Sequence, residues 1–132
     1  MRDIPLGIQD FKKLRDLDLY FVDKSQMVAS ILDSPGTEVF QFIRPRRFGK
    51  SLNLSMMDAY LNERYSGNHW FDGLSIDRTR PDDPDRNANT VVCLDMKGLG
   101  AGTYDDFLKQ MSSRMSVLYR EFMYLEDPDR LD

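Results

Sequence analysis

Val39-Phe-Gln-Phe-Ile-Arg-Pro-Arg-Arg-Phe-Gly-Lys-Ser-Leu-Asn-Leu54 passes from an apolar run, through a basic turn, into Gly-Lys-Ser at the head of an amphipathic segment. Strand, loop, helix is the setting in which a phosphate-binding loop makes physical sense. Such a loop turns backbone N–H groups toward the anion, and the helix behind it presents its positive dipole end. Lys50 is then placed to reach the β- and γ-phosphates, and the Ser51 hydroxyl to ligate Mg²⁺. The usual pattern has glycine where this chain has Arg44. Pro45 fixes its own φ and pushes Arg44 toward an extended conformation, so the chain leaves the apolar run by a stiffer route.

Upstream, Phe11, Leu14 and Leu17 recur at threes behind Asp10, which predicts one or two helical turns with an aspartate N-cap. Leu19 to Val22 reads as a short extended piece. Asp23-Lys24-Ser25 reads as a helix start, with Met27, Val28, Ile31 and Leu32 on one face. Asp33-Ser-Pro-Gly36 is a stop. Glu38 to Ile43 carries Val39, Phe40, Phe42 and Ile43, too apolar for a half-exposed strand, which predicts a strand covered on both faces, as in a parallel sheet.

Downstream, Ser51 to Leu61 predicts a helix with Leu52, Met56, Ala59 and Tyr60 in its most regular row. The stretch from Asn62 to Asn89 is irregular. Trp70-Phe71 and Leu74 to Ile76 look like small anchoring contacts, and Asp77 to Arg86 like an exposed, mobile loop. Thr90-Val-Val-Cys-Leu-Asp95 is a second apolar run, predicting a second strand with Cys93 buried in it. Thr103 and Asp106 form a capping box ahead of Tyr104, Phe107, Leu108, Met111, Met115, Leu118, Tyr119 and Phe122, a helical row expected to be core. Strand, helix, loop, strand, helix predicts an α/β fold, a three-layer αβα sandwich around a parallel sheet.

The 132 residues suffice for one modest core, so a single domain over 1–132 is expected. Net charge is 18 − 22 = −4, which advertises no general affinity for polyanions. Arg44, Arg46, Arg47 and Lys50 nevertheless crowd one turn, which suits a small anionic ligand. The single cysteine, Cys93, and single histidine, His69, exclude a disulfide framework and histidine-rich metal sites. No apolar run approaches the roughly 18 residues of a membrane span, and the N-terminus lacks a signal peptide's apolar region. A cytoplasmic protein without membrane contact is the expectation.

Ile8-Gln-Asp-Phe11, Tyr20-Phe-Val-Asp-Lys24, the block from Arg44 to Met56, Phe71-Asp-Gly-Leu74, Val91 to Asp95 and Tyr104-Asp-Asp-Phe107 together resemble the AAA-ATPase-like (predicted AAA-ATPase) domain family. Its members occur in many bacterial and some archaeal proteins, usually ahead of a PD-(D/E)XK nuclease-like region. The resemblance covers nearly the whole chain, and Arg44 is the family's spelling of the loop. It implies a P-loop NTPase-like fold, incomplete in this chain, that binds ATP with Mg²⁺. The cofactor-binding residues implied are Arg44, Pro45, Arg46, Arg47, Phe48, Gly49, Lys50, Ser51 and Leu52, with Ser51 on the metal.

Catalysis asks for more. A P-loop ATPase also needs an acid at the end of a core strand to hold Mg²⁺ and orient water. Asp95 is the local candidate, against a plain strand terminus, so Lys50 and Asp95 are the catalytic residues to test. The family's acidic strand is expected beyond Asp132, which makes this chain a binding module whose hydrolysis awaits the other half-site. The alternative is a degenerate scaffold that docks a partner or nucleic acid through its arginine-rich turn.

Overall fold

In the computed structural model, which describes residues 2–43, 45, 49–100 and 102–126, the Asp10 carboxylate accepts the Lys12 N–H at 3.0 Å and starts α1, Phe11–Asp16. This is the aspartate cap that the sequence predicts. Further helices are α2 (Gln26–Leu32), α3 (Lys50–Leu61), α4 (Ser75–Thr79) and α5 (Tyr104–Glu121), with 3₁₀ turns at Glu63–Tyr65 and Met123–Glu126. The chain divides into two compact units, Met1–Val91 and Val92–Asp132.

The predicted parallel sheet is not formed. The described residues contain no strand, and their one β-bridge is an isolated parallel pair, Asn62 with Asn89. The α/β, three-layer P-loop NTPase-like architecture is therefore corrected to a helical one. Residues 38–43 are neither helix nor strand, and Val39 and Ile43 are 82% and 74% exposed. Residues 90–95 carry no ladder either, with Val92 and Leu94 in contact with solvent and Cys93 exposed. The physical reason is the source of the hydrogen bonds. A helix finds them within its own segment, whereas a strand must find them on a neighbour. Apolar character alone supplies no neighbour.

The core of the first unit is aromatic. Phe71 lies 5.0 Å, centroid to centroid, from both Phe11 and Tyr60, and Phe11 meets Phe21 edge-on at 5.3 Å. Val28 and Ala29 of α2, Met56 and Ala59 of α3, and Leu74 and Ile76 at α4 fill the remainder. Phe71, Leu74 and Ile76, which looked like minor anchors, are thus central. Burial at α3 follows the predicted row: Met56, Ala59 and Tyr60 are buried and Leu52 packs against the cluster.

Polar contacts fix α1 on its neighbours. Ser55 Oγ accepts the Phe11 N–H at 3.0 Å and donates to Asp10 at 3.1 Å. Lys12 donates to Asp58 at 3.2 Å while its ammonium sits 4.6 Å from the Tyr65 ring centroid. Arg15 Nε donates to the Trp70 carbonyl at 2.6 Å, and the Trp70 indole N–H to Asp16 at 2.6 Å.

The residues just after the stretch expected to be a mobile loop close the end of α3. Four carbonyls at a helix C-terminus have no partner within the helix. Here the Asn87 side-chain amide donates to Ala59 and Asn62, its backbone N–H to Tyr60, and the Asn89 N–H to Leu61. Arg80 grips Asp83 through Nε at 2.7 Å and a terminal nitrogen at 3.1 Å, and also pairs with Asp33 and Asp85. Tyr60 donates its hydroxyl to Asp83 at 2.6 Å.

In the second unit the predicted capping box is present. The Asp106 N–H donates to the Thr103 hydroxyl at 3.3 Å, and the Thr103 N–H to the Asp106 carboxylate at 3.0 Å. The expectation that α5 is core fails, because none of its residues is buried. Among the described residues no helix is long and apolar enough to cross a membrane.

Candidate functional site at the head of α3

Gly49 stands at the N-cap of α3 with φ +76°, in the left-handed region. A Cβ there would meet no atom of the described residues within 4 Å, and the positive φ is what calls for glycine. The Asn53 N–H donates to the Gly49 carbonyl at 2.9 Å, the first bond of the helix. The N–H groups of Lys50, Ser51 and Leu52 precede that bond and have no carbonyl within the helix. Glycine offers no side-chain oxygen, and among the described residues no side chain caps this end. The positive end of the dipole of a helix of 12 residues lies at this turn.

Gly49, Lys50, Ser51 and Leu52 are brought together on this turn, with Lys50 and Ser51 exposed and Leu52 half-buried. Pro45 is exposed. Arg44, Arg46, Arg47 and Phe48 lie outside the described residues. Asp95 belongs to the second unit, where its carboxylate accepts the Lys97 N–H at 2.8 Å. It lines a cavity of about 260 Å³ with Leu94, Ser113 and Val117. No group of three or more acidic, histidine or cysteine side chains poised for a metal ion occurs among the described residues.

Two cavities flank the head of α3. One, of about 240 Å³, is walled by Ile4, Pro5, Tyr20, Phe21 and Val22 and reaches Gly49, Leu52 and Asn53. Its wall is apolar and partly aromatic, which suits the face of a flat ring. The other, of about 740 Å³, runs between Met27, Phe40, Phe42 and Met57 and reaches Lys50, Asn53 and Leu54. Lys24 lines both.

The residues around Lys24 do something the sequence does not announce. Asp23-Lys24-Ser25 does precede α2, but its polar side chains serve α4. Asp23 accepts the Ser75 N–H at 2.7 Å, 52 residues away, and fully buried Ser25 accepts the Ile76 N–H at 3.1 Å. Ser25 in turn donates to Asp23 at 2.6 Å. These bonds supply the N-cap that α4 does not provide for itself. The signal in the sequence is a helix start lacking Ser, Thr, Asp or Asn in the cap position, since Leu74 occupies it.

Burial alone would raise the Asp23 carboxyl, but hydrogen bonds from Ser25 and Ser75 outweigh it and hold the group below the usual carboxylate value. Asp83 follows the same pattern, with burial opposed by its bonds from Arg80 and Tyr60. A carboxyl lowered on folding adds stability that is fully present above its unfolded pKa, about 4. That stability is lost as pH falls through the lower folded value. Urea midpoints should therefore drop as pH falls below about 4, and Asp23→Asn should make that acid limb shallower. An unchanged acid limb in Asp23→Asn would show that Asp23 does not couple folding to pH.

A family described as Predicted AAA-ATPase matches residues 5–130. A protein of Azotobacter chroococcum mcd 1, named as an uncharacterized protein in vnfD 5'region, is 42% identical over 77 residues. Those residues are 57% of this chain and 14% of that protein, so the chain spans a small part of its relative. No solved structure matches.

Proposed function

Because this chain belongs to the predicted AAA-ATPase family, we propose that it is a module that binds ATP together with Mg²⁺. The observation that carries the reading is the head of α3. Left-handed Gly49 leads into the first turn of α3, and Lys50 and Ser51 occupy that turn. Donors aimed one way, a positive dipole end and a lysine are what a triphosphate requires. The base would occupy the 240 Å³ cavity against Tyr20, Val22 and Leu52. Arg44 to Phe48 would complete the loop around the phosphates.

The residues present fit the nucleotide better than they fit an ion by itself. Ser51 is the side chain that would take Mg²⁺, whose other positions the triphosphate and water would fill. The ion supplies neutralisation of the phosphate charge. Turnover is a separate matter, because it needs an acid to orient water. In a longer parent protein, nucleotide-driven movement would be delivered to the nuclease-like region that the family resemblance implies.

The test is titration with a fluorescent ATP analogue, with and without Mg²⁺, on wild type and Lys50→Ala. Removing a charge-assisted contact should weaken binding at least about tenfold. Equal affinity of the two proteins would overturn the reading. Saturating ATP at about 100 times its Kd should also add about 2.7 kcal/mol to stability. Binding to polyanions that weakens steeply with salt, without such protection by ATP, would favour docking through the arginine-rich turn.

A further inference from the structure

The two cavities beside α3 have two wall residues in common, Lys24 and Asn53. A nucleotide with its base against Tyr20 and its terminal phosphates at Lys50 would span both cavities, along the wall that Lys24 and Asn53 share. We infer that Lys24 is a second phosphate-binding cation, contacting the part of the triphosphate chain that lies between the base and Lys50. The inference rests on the nucleotide reading of the site.

Three further observations support it. The Lys24 backbone is set between two anchored neighbours, Asp23 and Ser25, both bonded to the start of α4. A long side chain on a fixed backbone loses less freedom on binding than one on a loop. The nearest acid in sequence, Asp23, is engaged with Ser25 and Ser75. Among the described residues Lys24 forms no ion pair, in contrast to Lys12, which pairs with Asp58, and Arg80, which pairs with Asp33, Asp83 and Asp85. An exposed ammonium without a counter-charge at the edge of two cavities is placed to meet an anion.

The experiment compares wild type, Lys24→Ala and Lys24→Arg, with ATP and adenosine each competing against the fluorescent analogue. Lys24→Ala should weaken ATP about tenfold and change adenosine by less than about twofold. Its melting temperature should match wild type, and Lys24→Arg should recover most of the ATP affinity. Wild-type affinity for ATP in Lys24→Ala would overturn the inference and leave the nucleotide reading standing. An equal loss of adenosine would overturn it too, by showing that Lys24 shapes the base cavity. Failure of wild type itself to bind ATP would remove both.

Discussion

Phe71→Ala should lower the unfolding free energy by about 4 kcal/mol, measured by urea denaturation. Phe71 is fully buried, and it joins α1 to α3 because Phe11 and Tyr60 both pack on its ring. The Arg86 guanidinium lies over the same ring, 5.7 Å from its centroid. Truncation loses the transfer energy of the ring and leaves a cavity whose walls include Phe11 and Tyr60, which come from two different helices and cannot easily collapse. Leu54→Ala is the control. Leu54 is 58% exposed on α3, and its loss should cost less than about 0.5 kcal/mol. A Phe71→Ala loss below about 1 kcal/mol would mean that this aromatic cluster is not what holds the first unit together.

Asp83→Ala should cost about 3 kcal/mol, by stranding polar groups instead of opening a void. The Asp83 side chain is 1% exposed and accepts four hydrogen bonds: from Tyr60, two from Arg80, and from the Asp85 N–H. Its removal leaves the hydroxyl of Tyr60, a residue that is itself 1% exposed, without this acceptor. Arg80 keeps Asp33 and Asp85 and retains some access to water, which places the loss at the low end of the range for a broken buried pair. Tyr60→Phe removes one of the four bonds and should cost about 1.5 kcal/mol. If Tyr60→Phe proved as costly as Asp83→Ala, the hydroxyl and not the arginine clip would be the important partner.

What was legible in the sequence was what short-range chemistry decides. Asp10 as a cap, the Thr103–Asp106 box and the buried row Met56, Ala59, Tyr60 all follow from residues within one or two turns of one another. The helix start at Gly49, Lys50 and Ser51 was legible in the same sense, because glycine takes the left-handed turn that begins it. The sheet was misread for the opposite reason. Val39 to Ile43 and Val91 to Leu94 have strand-like composition, and composition does not state which backbone would pair with them. Burial on α5 was misread because amphipathic spacing shows a face without showing what covers it. The roles of Asp23, Ser25, Asn87 and Asn89 were hidden by sequence distance. Each caps a helix to which it is not adjacent in the chain.

That distance bears on how the protein is made. Ser25 and Asp23 meet the start of α4 only after more than 50 further residues exist. Phe11 likewise meets Phe71 late. During synthesis from the N-terminus, α1, α2 and α3 can emerge and coil, but the aromatic cluster lacks its central ring until Phe71 leaves the ribosome. Loop closure across that span has to precede the contacts that reward it. Phe11 in particular waits through 60 further residues (71 − 11) for its partner Phe71, an interval in which a chaperone or an aggregation partner would find it.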